Sequence, residues 1–261
     1  MTHYIKPIHS LYKMPKGHSS PHLIRFDDGN DYVVKFKNNP TGTRTLVNEY
    51  VAGKLAKLLK LPVIPFRTVY ISQEFIDRNQ CLSSNFSSGT QYASLFLEDT
   101  VYLPKNVELD EKIKIINYEQ LAGVIAFDYW LGNVDRNRKN LLLKRINQSD
   151  YQFYIIDHGH CFNKARWTVD TFKELPIMSS SWRKAHKIYM LFLQKDEGIF
   201  TYIKRINELP LISIQGIVHS IPEDWEVSEN EKEALIDYLV VSRERLQDFE
   251  FFQNWMDSVK E

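Results

Sequence analysis

Asp135, Asn140 and Asp157 stand where the local pattern of the chain breaks, and their side chains suit metal-assisted phosphoryl transfer. Asp135 and Asn140 are separated by four residues in the run Asp-Arg-Asn-Arg-Lys-Asn. The apolar Leu141-Leu142-Leu143, a polar turn around Asn147 to Asp150, and a second apolar stretch from Tyr151 to Ile156 follow. Two strands joined by such a turn predict a hairpin that returns Asp157 close to Asn140. A carboxylate and an amide oxygen brought together suit Mg²⁺, a hard cation that takes oxygen ligands and shares its shell with substrate phosphates. Asp135, ahead of the amide, can accept a proton from a substrate hydroxyl, and these are the parts of a phosphotransferase catalytic loop. An isolated Asp-x4-Asn is common in solvated polar loops. The signal lies in its order with the hairpin and Ile-Ile-Asp-His-Gly.

The elements that must position these groups are legible on both sides. Upstream, His22 to Phe26 and Asp31 to Lys37 form a hairpin around the Gly-containing turn Asp27-Asp28-Gly29-Asn30. Tyr32, Val34 and Phe36 then share one face of the second strand, with Val33 and Lys35 on the other. A helix is predicted from Thr45 to Lys60, stopped by Leu61-Pro62. Glu49, Ala52, Gly53 and Ala56 fall on one face of it, a small-residue face that can approach a sheet closely and aim Glu49 at Lys35. Val63 to Ile71 and Gln91 to Leu97 read as strands, with a Ser- and Asn-rich loop from Asp77 to Gly89 between them. Glu98 to about Asp110 reads as a connector and lobe boundary. An amphipathic helix from Tyr118 to Leu131 delivers the chain to the catalytic loop. Beyond Phe162, helices are predicted at Trp182 to Gln194, Ile199 to Leu209, and from Ser228 or Glu229 to about Val259. Leu235, Leu239, Leu246, Phe249 and Trp255 of the last one serve as core contacts.

Composition narrows the partners. The 261 residues supply either one large domain or two small lobes. Lysine plus arginine and aspartate plus glutamate both number 33, a balance that argues against a nucleic-acid or anionic membrane partner. Cys81 and Cys161, the two cysteines, form no CxxC and no framework, as expected of a reducing cytosol. The N-terminal MTHYIKPIHS lacks the apolar core of a signal peptide, and no apolar run reaches membrane-spanning length. The expectation is a cytoplasmic protein of α+β class, with a β-rich small N-lobe over residues 1–100 and a helical C-lobe over 101–261, together one bilobal domain of protein kinase-like fold.

The order of motifs resembles the HipA-like kinases, in particular their short stand-alone form. The matching pieces are Gly17-His18-Ser19-Ser20-Pro21, Tyr32-Val33-Val34-Lys35-Phe36 and Leu46-Val47-Asn48-Glu49-Tyr50. Gly132-Asn133-Val134-Asp135-Arg136 with Asn140, Ile156-Asp157-His158-Gly159 and Ile221-Pro222-Glu223-Asp224-Trp225 complete the set. The resemblance implies that Lys35 contacts the ATP phosphates, Glu49 pairs with Lys35, Asp135 is the catalytic base, and Asn140 and Asp157 hold Mg²⁺. It also implies that the Gly17-His18-Ser19-Ser20-Pro21 loop covers the phosphates. The order of elements places the nucleotide between the lobes near residues 97–103, with Phe96, Leu97 and Glu98 among the residues expected to bind it. The chain carries no Gly-x-Gly-x-x-Gly and no Walker lysine loop. Its arginine follows the catalytic Asp instead of preceding it, and His158 stands where a phenylalanine is more familiar.

The chemistry expected is ATP- and Mg²⁺-dependent transfer to a Ser or Thr hydroxyl of a protein. The same groups would serve a lipid or small-molecule alcohol, because they see only a hydroxyl and a phosphate. A third reading is a nucleotide-binding pseudokinase that acts as a regulatory scaffold, since a complete motif does not guarantee turnover. A fourth takes His158, His160 and Cys161 as a zinc cluster, although the Asp-His pair such sites usually need is missing.

Overall fold

A computed structural model describes residues 5–82, 86–104, 114–173, 180–193 and 197–246 of the chain. It opens with an antiparallel sheet of β1 (Pro7–Lys13), β2 (His22–Phe26), β3 (Asp31–Lys35), β4 (Phe66–Ile71) and β5 (Gly89–Leu95), in the order β1-β2-β3-β5-β4. β2 and β3 pair across the expected Gly29 turn. Alternation sends Tyr32, Val34 and Phe36 into a small core with Ile24, Phe26, Val69, Ile71 and Ala93. Lys35 therefore faces the other side, where α1 (Arg44–Leu58) lies.

Every residue of α1 from Thr45 to Ala56 is buried except Lys54. A helix buried on nearly all sides belongs between two layers, and α1 packs into the core of the second lobe while covering the first sheet. Gly53 permits that approach, because a Cβ there would fall 2.6 Å from the Phe66 ring on β4.

The second sheet runs β6-β8-β9-β7, from β6 (Thr100–Tyr102), β7 (Lys114–Ile115), β8 (Leu141–Arg145) and β9 (Asp150–Ile155). Below it, α3 (Gln120–Leu131) packs against α4 (Ser180–Phe192), α5 (Glu197–Asn207) and α7 (Glu229–Arg245). The Trp130 indole donates to the carbonyl of Leu239 on α7 at 2.9 Å. A capping box of Ser228 and Glu231 starts α7 where the sequence places it. Leu235, Leu239 and Leu246 are buried as expected, while Phe249, Trp255 and the stretch to Val259 lie outside the described residues.

The order of a β-rich first part and a helical second part is that of a bilobal kinase-like fold. Four expectations about elements change. The Val63 to Ile71 strand begins only at Phe66, because Val63 bridges to Ile155 of the second sheet instead. The loop from Asp77 is preceded and partly replaced by α2 (Gln73–Arg78), capped by Ser72. The connector after Glu98 contains β6, which finds its hydrogen bonds on β8. β1, β7 and α6 (Leu211–His219) are additional. Among the described residues no helix is long and apolar enough to cross a membrane.

Candidate functional site

The site grows from three backbone events. The β8–β9 hairpin pairs Leu141 with Ile155. One step beyond, the Ile156 N–H donates to the Asn140 carbonyl at 3.0 Å, so Asp157 emerges beside Asn140. α3 ends at Gly132, which takes φ +58 and lets its N–H cap the last turn, turning the chain sharply into the loop that carries Asp135. Asp157 itself has φ +58, a left-handed conformation that aspartate tolerates better than most residues.

Lys35 joins the two lobes at this point. Its Nζ is bonded to Glu49 Oε1 and lies 3.0 Å from Asp157 Oδ1. The other oxygen of Glu49 accepts the His158 N–H at 3.1 Å and faces His158 Nδ1 at 3.5 Å. Burial alone would depress the Lys35 ammonium, but Asp157 and Glu49 outweigh it and hold its pKa above the ordinary value. Burial alone would likewise raise Glu49, but Lys35 and the hydrogen bond and charge of His158 hold it well below the usual carboxylate range. Asp135 goes the other way. Burial raises its pKa, helped by Asp157 and opposed by His160, Arg136 and His18.

These side chains line one cleft of about 610 Å³. Apolar walls come from Val33, Ile64, Phe66, Leu95, Leu142 and Ile155, and charged ones from Lys16, Lys35, Lys139, Asp135 and Asp157. Gly17, His18, Phe96, Leu97 and Asn140 also line it. Three residues expected there do not. Glu98 is exposed outside the cleft wall. Ser19 is buried, and Ser20 borders a separate hollow with Lys13, His22 and Asn38. The reason is a tight turn in which the Ser20 N–H donates to the Gly17 carbonyl and carries the two serines away from the cleft.

The donor set fits a hard cation. Asn140 Nδ2 donates to the Asp135 carbonyl at 3.1 Å, which leaves the amide oxygen as its acceptor end, and one Asp157 oxygen remains beyond the bond to Lys35. Among the described residues no three His, Cys, Asp or Glu side chains are grouped to hold a metal ion. The zinc reading finds no assembled geometry: His158 turns to Glu49, and burial first of all pushes the Cys161 thiol up, away from its thiolate.

Asp128 escaped the sequence reading, and Arg136 and Asn48 appeared in the motifs without a role. Arg136 is wholly buried and donates from Nε and Nη2 to Asp128 at 2.7 and 2.8 Å. Its Nη1 reaches the carbonyls of Asn140 and Ile156 at 3.2 and 3.0 Å, fastening the loop to the hairpin. Asn48 on α1 donates from Nδ2 to the carbonyls of Gly159 and Cys161 at 2.8 and 2.9 Å. A single acid, Asp128, within an otherwise apolar helix was the available signal for the first group. Asn48 between Val47 and Glu49 was the signal for the second.

Lys35, Glu49, Asp135, Asn140 and Asp157 thus meet in one interlobe cleft of a bilobal fold, the arrangement of a protein kinase-like phosphotransferase. A family model described as HipA-like kinase matches residues 8–257, and the chain belongs to that family. A Helicobacter pylori proinflammatory kinase, CtkA, superposes with a TM-score of 0.64 at 17% identity, over 97% of each chain. A Golgi casein kinase solved with Mn and ADP superposes with a TM-score of 0.56 at 13% identity, over 94% of this chain and 74% of that one. These likenesses are of fold. No curated protein matches the sequence.

Proposed function

We propose that this chain is an ATP- and Mg²⁺-dependent kinase that transfers the γ-phosphoryl group to a Ser or Thr hydroxyl of a protein. The observation that carries the reading is Lys35, bonded at once to Glu49 of the small lobe and Asp157 at the end of the hairpin, in the wall of the cleft that Asp135 also lines. Lys35 holds the α- and β-phosphates, and Glu49 fixes its ammonium. The apolar walls take the base. Asn140 and Asp157 hold Mg²⁺, which when bound supplies positive charge against the phosphate oxygens. Asp135 orients the acceptor hydroxyl and accepts its proton. A carboxylate whose pKa burial has raised is a stronger base than a free one. The Golgi casein kinase of the same fold was solved with Mn and ADP, a divalent cation and nucleotide of the kind assigned here.

The decisive experiment transfers labelled γ-phosphate from Mg-ATP to extract proteins and, separately, to extract lipids and metabolites. Asp135→Asn should lower transfer by about 10² to 10⁴ and leave Mg-ATP affinity unchanged, because a general base acts in the transition state. Label on small molecules alone would replace the protein acceptor by a small-molecule or lipid one. A wild type that binds ATP but transfers no more label than Asp135→Asn does would make the chain a pseudokinase.

A further inference from the structure

The Ile221-Pro222-Glu223-Asp224-Trp225 stretch contributes nothing to the cleft, yet it is where the large lobe reaches across to the small one. It links α6 to α7 through a single 3-10 turn, Glu223–Trp225. Asp224 Oδ2 accepts the Thr90 N–H at 2.7 Å and faces Lys37 Nζ at 3.3 Å. The Trp225 indole donates to the Thr90 carbonyl at 2.8 Å. Both backbone groups of Thr90, at the start of β5, are therefore held by side chains from the other lobe. Gly89 shows how close the contact is, since a Cβ there would lie 2.5 Å from Asp224 Oδ2 and 2.7 Å from Lys37 Nζ. Trp225 is fully buried and edge-on to Tyr50 of α1 at 5.7 Å. Arg44, the first residue of α1, donates to the carbonyls of Trp225 and Glu226, each at 3.2 Å.

The covalent connection between the lobes leaves β5 at its other end, after Leu95. A strand from Gly89 to Leu95 spans about 20 Å. The small lobe is thus fastened to the large one at both ends of the same strand, and rotation about the linker is blocked while the far end holds. We infer that the Ile221–Trp225 turn is a clasp that keeps the first sheet closed on the large lobe, so that Lys35 on β3 stays in register with Asp157 and with Glu49 on α1, itself anchored in the large-lobe core, before any nucleotide arrives. Asp224 and Trp225 are positioning residues, and only this last step rests on the phosphotransferase reading.

The test places spin labels at Tyr70→Cys on β4 and Ile212→Cys on α6, both exposed, in a Cys81→Ser background of the full chain. Without nucleotide, the clasp requires one narrow interlobe distance, and Asp224→Ala should add a longer, broad component that Mg-ATP narrows again. Asp224→Ala should raise the KM for Mg-ATP about tenfold and leave kcat at saturation within about twofold, since binding then has to select the closed state. Asp224→Asn retains an acceptor for the Thr90 N–H and should restore both the distance and most of the KM. An Asp224→Ala distribution as narrow as the wild type's, or broadened distances with an unchanged KM, would overturn the proposal. If the wild type neither binds nor turns over Mg-ATP, the phosphotransferase reading fails, and the distances in the absence of nucleotide still decide the clasp.

Discussion

Two assemblies of carboxylate and cation flank the loop that carries Asp135, and they differ in what their oxygens have left to do. In the first, Asp128 Oδ1 accepts from Arg136 and Asn133, and Oδ2 accepts from Arg136 and stands 3.0 Å from His186 Nε2. Asp128, Arg136 and His186 are all wholly buried. In the second, Lys35 bridges Glu49 and Asp157, but Asp157 keeps 41% of its side chain exposed on the cleft. Glu49 and Asp128 are both held well below the usual carboxylate range against the opposing effect of burial. A shifted pKa therefore does not separate the candidate site from a structural cluster here. Spare acceptor capacity and open space do. Both oxygens of Asp128 are engaged in holding the loop, whereas the cleft retains Asp157, Asn140 and Asp135 facing a cavity.

The comparison breaks most visibly at Asp128. Asp128→Ala leaves the Arg136 guanidinium buried without its anion, a change that costs about 3 to 5 kcal/mol in a fully desolvated pair. Urea denaturation should show that loss, and transfer activity should fall with the folded population, because Arg136 also bonds the carbonyls of Asn140 and Ile156. A denaturation midpoint close to that of the wild type would mean that the cluster is not the anchor described.

Lys35 gives a smaller effect with a pH signature. In the wild type the folded pKa of Glu49 is lowered, so its stabilisation is complete above the ordinary value of 4.5 and is lost as pH falls through the folded value. In Lys35→Met the main cation is gone and burial prevails, so the folded pKa of Glu49 rises. Its buried charge then costs about 1 to 3 kcal/mol at neutral pH, less than at Asp128 because the cleft admits water. That cost shrinks as the carboxylate takes up a proton. The stability gap between wild type and Lys35→Met should therefore be widest near neutrality and narrow toward pH 4. A gap independent of pH would place the loss in packing rather than in the ion pair.

What the sequence disclosed follows the same division. Lys35 could be placed by alternation along β3, Glu49 by the small-residue face of α1, and the approach of Asp157 to Asn140 by the hairpin. Each is a local geometric rule. Asp128, Asn48 and His186 answer to tertiary contacts, since their partners lie in loops or helices whose meeting no periodicity encodes. α2 is only one and a half turns long, too short for a hydrophobic period to register, although Ser72 and Glu74 carry its start signal. β6 is Thr-Val-Tyr, three residues that favour strands, but it is too short for an alternation to register before β8 offers it a ladder. The turn at Gly17 to Ser20 depends on a similar detail: Gly17 and His18 line the cleft, while one backbone bond directs Ser19 and Ser20 away from it.

The smallest expected effect sharpens the contrast from the cleft side. Asp157→Asn removes a charge without removing a shape, since asparagine also accepts the left-handed φ of +58 and can offer an oxygen to Lys35. Glu49 keeps its own bond to Lys35, so no buried cation is stranded. The Asp157 carboxylate is substantially exposed, and the coupling lost with it is worth at most about 1 kcal/mol after solvent screening. Thermal denaturation without nucleotide should give a melting temperature within a few degrees of the wild type's, in contrast to Asp128→Ala. On adding millimolar Mg-ATP the wild type should melt higher, by the linkage that any ligand of the native state obeys, and Asp157→Asn should show little of that rise. An equal rise in both proteins would remove Asp157 from the metal-holding role. A large loss of stability in Asp157→Asn without ligand would instead assign Asp157 to the same class as Asp128.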